Sequence, residues 1–144
     1  MKKLLIVIVL GIAIVGFLKE NPDFLQSYVK QSAATDQLLA DAYQNQQKDL
    51  QVGGKGTVIS TLSDDTQGSR HQRFILGLSS GQTLLISHNI DIAPRINSLR
   101  EGDTIEFYGE YEWSPKGGVV HWTHHDPGGR HENGWLKHKG TAYQ

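Results

Sequence analysis

Residues 104–113 alternate strictly between two kinds of side chain, and that alternation leaves the stretch few ways to fold. Ile105, Phe107, Gly109, Tyr111 and Trp113 take one set of positions; Glu106, Tyr108, Glu110 and Glu112 take the other. Successive side chains of an extended strand point to opposite faces. The stretch therefore reads as a strand with one apolar face and one acidic face. Carboxylates stacked on one face repel, so a neighbouring strand must offset them. His121, His124, Arg130 and Lys137 are the candidates.

Shorter segments of the same period surround it, bounded by turn residues. Thr57–Leu62 places Val58, Ser60 and Leu62 on one side. His71–Leu78 does the same with Phe74, Leu76 and Leu78. After Ser79-Ser80-Gly81 the chain returns through Gln82–His88. Asp91–Leu99 is helical in character, with Pro94 near its start. Thr104–Trp113 follows the Gly102-Asp103 turn, and Val119–Thr123 closes the set. Three strands, a short helix and two strands is the order of the OB-fold, which removes the exposed edges that short strands otherwise present. The expected fold is mainly β: a small five-stranded OB-like Greek-key barrel, with an open β-sandwich fragment as the alternative. Gly53-Gly54-Lys55-Gly56 lacks the phosphate-loop pattern and reads as a flexible entry to the first strand.

The segment before the barrel points to the envelope. Two lysines stand before an unbroken apolar run from Leu4 to Leu18, the pattern of a secretory signal or anchor. Ser32-Ala33-Ala34 has cleavage-site chemistry but lies too far downstream. An uncleaved anchor is the first reading and a cleaved peptide the second; both export the rest of the chain, with Lys2 and Lys3 left in the cytoplasm. Pro22 opens a Gln- and Ala-rich helical region with apolar groups Phe24, Leu25, Tyr28, Val29 and Leu38, Leu39, Ala42, Tyr43. The expected organisation is a signal or anchor over 1–20, a helical linker over 21–50 and the β-domain over 51–144. The expected location is the bacterial cell envelope, with a periplasmic domain held at the inner membrane or released after cleavage.

The candidate chemistry concentrates at the C-terminus. Five of the seven histidines and two of the three tryptophans lie between Gly117 and Gly140. Imidazole is the commonest metal ligand and titrates near neutral pH. The chain has no cysteine, so a metal must be held by His, Asp, Glu or backbone oxygen. The expected ligands of a divalent cation, Zn²⁺ or Mn²⁺, are His124, His125, Asp126, His131 and His138. Strand periodicity sets Val119, His121 and Thr123 on one face and Val120, Trp122 and His124 on the other, so His121 stands apart from that group. His124, His125 and Asp126 are also the candidate catalytic residues, with Asp126 orienting a histidine base. The bland alternative is a tail of structural hydrogen bonds.

Binding is the other functional class. An OB barrel offers a strand face and flanking loops to oligonucleotides or glycans. Trp122, Arg130, Trp135 and His88 are the expected ligand-binding residues. Trp113, Tyr108 and Tyr111 are further rings for stacking, and Arg70, His71, Arg73 and Arg95 further cations for phosphates. Net charge is −1, which removes the general attraction on which a polyanion binder relies. A protein of the envelope is the third partner class.

The runs GQTLLISHNIDIAPRI, GDTIEFYGEYEW and GGVVHWTHHDPGGRHENGWLKHKG resemble an uncharacterised family of small bacterial envelope proteins, a domain of unknown function, over roughly Gly53 to the C-terminus. The resemblance implies a small exported β-domain and carries no catalytic assignment. A looser likeness, at the level of fold, is to OB-fold proteins, including the staphylococcal-type nucleases, whose catalytic acidic and arginine arrangement is missing here. His124-His125-Asp126-Pro127 with Asn133 and His138 resembles the His-Asn-His nuclease motif, at shorter intervals. A binding module is the leading expectation, and a metal-dependent, nuclease-like hydrolase is the alternative.

Overall fold

A computed structural model describes residues 2–144. The chain divides into two compact units, Met1–Ala33 and Ala34–Gln144. The first holds α1 (Lys2–Glu20), none of whose side chains is buried, and the opening turns of α2 (Pro22–Gln44). Among the described residues no single helix is long and apolar enough to cross a membrane.

The second unit is mainly β. Its strands are β1 (Leu50–Thr61), β2 (His71–Gly77), β3 (Thr83–Asn89), β4 (Thr104–Glu112), β5 (Val119–His121), β6 (Trp135–His138) and β7 (Thr141–Tyr143). β1 pairs with β2 through its C-terminal half and with β4 through its N-terminal half. β3 joins β2 and, in parallel, β5; β5 joins β4. The ring β1-β2-β3-β5-β4 thus closes on itself, as an OB-like barrel does. Phe74, Leu76, Ile86, Phe107, Tyr111 and Val120 fill the interior. Their alternation with half-exposed neighbours gives β2, β3 and β4 the period-two burial expected of them.

Four features depart from the sequence expectations. The glycine run from Gly53 lies inside β1, not ahead of it. A Cβ on Gly54 would stand 2.7 Å from Phe107 Cζ, so the absence of a side chain is what lets β1 cross closely over β4. The connection over 90–103 has no helix. Instead Ala93 and Ile96 are buried beneath the barrel, and Gln72 holds Ile96 by its amide in both directions, at 2.8 and 2.9 Å.

The opposite end is closed by the last turns of α2, where Leu39 and Ala42 are fully buried. There Gln82 donates to the Leu39 and Gly117 carbonyls, and Asp36 accepts from Ser79 and Ser80. The compact unit consequently starts at Ala34, within the helix, rather than at residue 51. Finally, the tail forms a hairpin, β6–β7, whose turn residues Lys139 and Gly140 both have positive φ. It adds to the edge of β4 beside β5.

Candidate functional site

The acidic face of β4 finds its partners where β5 and β6 lie against it. His121 pairs directly with Glu110, Val119 with Glu112, and Lys137 with Glu106. His121 Nε2 lies 3.3 Å from Glu110 Oε1 and 3.8 Å from Glu112 Oε1. Burial pushes the Glu112 carboxyl upward, against the Asp49 N–H that donates to it at 3.3 Å.

β5 stops at His121, two residues before the expected end, because Trp122 adopts a left-handed backbone with φ of 54°. Such a residue breaks strand alternation. Thr123 therefore turns inward and is fully buried, and does not share a face with His121. Its hydroxyl lies 2.8 Å from His88 Nδ1, while His88 Nε2 donates to the Pro94 carbonyl at 3.1 Å. His88 is thus an internal brace between β3, the tail and the 90–103 connection. Burial lowers its pKa to about 4.

The loop beyond Trp122 is organised by Asp126. Its carboxylate accepts from the backbone N–H of Gly128, Arg130 and His131 at 2.9, 2.7 and 2.8 Å, and its own N–H donates to Asn133 at 2.8 Å. These backbone donors favour the charged form and hold its carboxyl below the usual range. The loop so fixed delivers His131 to the far side of Glu110. His131 Nε2 stands 2.5 Å from Glu110 Oε2, and Nδ1 stands 2.7 Å from the Glu132 carbonyl. The Glu132 carbonyl can only accept, so Nδ1 donates to it, and the Glu110 carboxylate favours a proton on Nε2 as well. Burial is the largest influence and opposes the charged ring, but the bonds to Glu110 and the Glu132 carbonyl and the nearby charges of Glu110 and Asp126 together raise the His131 pKa. Trp122 lies flat on the ring, with centroids 4.0 Å apart and planes 8° from parallel.

The predicted ligands are not brought to one point. His124 is buried, donates from Nδ1 to the His125 carbonyl and touches Trp122; burial lowers its pKa. His125 is exposed. Asp126 is occupied by backbone N–H groups, and His131 by Glu110. His138, almost fully buried on β6, donates to Asp103 at 2.8 Å. Among the described residues, the group whose ligand atoms do converge is Glu110, Glu112 and His121, all within 4.8 Å of one another. It includes none of the predicted ligands. The signal for it was the acidic ladder facing His121.

The predicted stacking rings and cations are largely engaged within the chain. Tyr111 is core. Trp113 stacks on Tyr43, and Trp135 stacks on Tyr108 with Lys137 Nζ 4.5 Å from its ring. Arg70 pairs with Asp91, Arg95 with Asp64, and Arg73 donates to the Ser63 carbonyl. Arg130 is exposed.

Beside the His–Glu cluster one row across the outer barrel face is aliphatic, with Arg73, Thr83 and Ser87 on either side of it. Ile75 pairs with Leu85, and Leu85 with Val119. These three alternate with the core positions and are half-buried on the outside. Ile59, at the irregularity of the β1–β2 register, continues the row over Gly77 and is 51 % exposed.

A family model described as "Protein of unknown function (DUF3465)" matches residues 23–144. No curated protein matches the chain.

Proposed function

The chain belongs to the DUF3465 family through residues 23–144, and from the surface of that region we propose that it is an exported, envelope-anchored OB-type binding module for a protein partner. One observation carries this reading: the outward row Ile59, Ile75, Leu85 and Val119 crosses four strands of the face that OB barrels use for ligands. A strand with one solvated face alternates apolar residues inward with polar residues outward, and a contiguous aliphatic row on the outside is the mark of a contact surface. Aliphatic side chains match a protein segment better than bases or sugars, which call for open rings and free cations. Here those rings stack on one another, Arg70 and Arg95 are paired with aspartates, and Arg73 is held by the Ser63 carbonyl. Export rests on Lys2-Lys3 before the apolar run.

A photo-crosslinking residue at Leu85 tests the partner directly. The expected result is an adduct of defined mass in intact cells, lost when Ile75→Asp is added to a chain that still folds, and missing when the same residue replaces Thr141. Saturable binding of an oligonucleotide or a glycan, left unchanged by Leu85→Asp, would overturn the reading. Protease added outside spheroplasts should cleave the barrel if the chain is exported and leave it intact if it is not. The hydrolase alternative retains one favourable observation, the convergence of Glu110, Glu112 and His121 on the same face.

A further inference from the structure

We propose that Glu110, Glu112 and His121 form a divalent-cation site, with His131 as the positioning residue that fixes Glu110. The ligands come from two paired strands and not from the loop. Glu110 and Glu112 project from one face of β4, two residues apart, and His121 meets them from β5 in direct register with Glu110. Donors sharing a tetrahedral ion at about 2.0–2.2 Å stand roughly 3.3–3.6 Å from one another. The measured separations from His121 Nε2, 3.3 and 3.8 Å, bracket that spacing. His121 Nε2 is itself buried and has no hydrogen-bond partner. It faces two carboxylate oxygens at 3.3 and 3.8 Å, an arrangement that a cation placed between them would satisfy.

The surroundings have the form of a metal site's outer shell. Ligating carboxylates are usually hydrogen-bonded from behind. Glu110 Oε2 is held by His131 at 2.5 Å, which leaves Oε1 turned toward His121. His131 is fixed in turn by the Glu132 carbonyl and by Trp122. With Nδ1 engaged by the Glu132 carbonyl and Nε2 by Glu110, His131 acts on the site through Glu110 and not as a ligand. Among the described residues the ion pairs of Glu110 and Glu112 are all to histidines, with no lysine or arginine in place against either carboxylate. One imidazole and two carboxylates, without thiolate, suit a first-row dication such as Zn²⁺ or Mn²⁺ better than Ca²⁺ or Mg²⁺. Three protein ligands leave a further position open. The side chains of His121 and Glu112 remain 34 % and 29 % exposed, so that position is reachable from solvent.

The test uses the full-length chain without a histidine tag, in detergent, stripped with chelator and titrated with Zn²⁺, Mn²⁺ and Co²⁺. Bound metal is counted after dialysis, and Co²⁺ is followed by its visible absorption. One equivalent per chain is expected. Glu112→Gln and His121→Gln should each weaken it by more than about tenfold, and His131→Phe by about tenfold. His125→Ala, which alters the exposed loop histidine, should leave affinity unchanged. Circular dichroism of the metal-free variants confirms that each folds. Failure of the parent chain to bind one equivalent overturns the proposal. So does binding that survives Glu112→Gln and His121→Gln together, or binding lost in His125→Ala. The crosslink at Leu85 is read separately, so either proposal can fail alone.

Discussion

Acidification should destabilise this barrel in measurable part through one buried histidine. His88 is fully buried, and burial lowers its pKa from 6.5 to about 4. The unfolded imidazole titrates at the ordinary value, so between those two values the unfolded chain binds a proton that the folded chain refuses. The stability His88 contributes is fully present above pH 6.5 and is lost progressively as pH falls toward 4. At 1.36 kcal/mol per unit, linkage gives a loss of roughly 2.5 kcal/mol between about pH 7.5 and pH 4.5. His88→Gln removes the titration, and a glutamine amide can still donate to the Pro94 carbonyl. Urea unfolding of both chains at the two pH values, followed by tryptophan fluorescence, isolates the effect as a difference of differences. Asp91, Asp103 and Asp126, whose carboxyls are held low by their donors, are present in both chains and cancel. The parent should lose roughly 2.5 kcal/mol more than His88→Gln. Equal losses would refute the assignment of acid sensitivity to His88.

Three further predictions concern the frame around the site. Leu39→Ala should cost about 2–5 kcal/mol in chemical unfolding, whereas Leu38→Ala, one residue away and 44 % exposed, should cost less than about 0.5 kcal/mol. Similar costs at the two positions would mean that α2 is not part of the barrel's core. Gly134→Ala places a Cβ 2.0 Å from the Trp122 carbonyl oxygen and 2.5 Å from that of Tyr108. It should destabilise by about 1–3 kcal/mol and weaken the Trp122–His131 stack, measured as a changed tryptophan emission. His138→Phe leaves Asp103 without its imidazole donor and should lower the melting temperature without altering metal stoichiometry; loss of the metal would place His138 in the site.

The strands could be read from the sequence because each buries one face of a closed barrel, and burial imposes the alternation directly. Val58, Phe74, Ile86, Phe107 and Tyr111 announce themselves in this way. The β6–β7 hairpin was hidden because Trp135-Leu136-Lys137-His138 contributes one large core side chain, Leu136, and looks like part of a polar tail. Its Lys139-Gly140 turn was the available clue. The site was half legible. Of the four partners that the repulsion argument names for the β4 carboxylates, His121 and Lys137 stand opposite them, whereas His124 turns to the His125 carbonyl and Arg130 lies in the exposed loop. The placement of His131 was not legible, because it depends on a left-handed Trp122 and on an aspartate that binds three backbone amides. Neither leaves a periodic trace.

The position of β4 has a kinetic consequence. It borders β1 on one side, and β5 and β6 on the other. Leu50 must meet Tyr111, and Ile105 must meet His138, before either edge is satisfied. Contacts this distant in sequence make folding slow, since loop-closure entropy is lost before the pairing energy is gained. A nascent chain that has emerged only as far as β3 holds a β-meander with open edges and nothing to close it. Closure of the barrel therefore waits for β4 and β6, and until they arrive β1, β2 and β3 stand with unpaired edges.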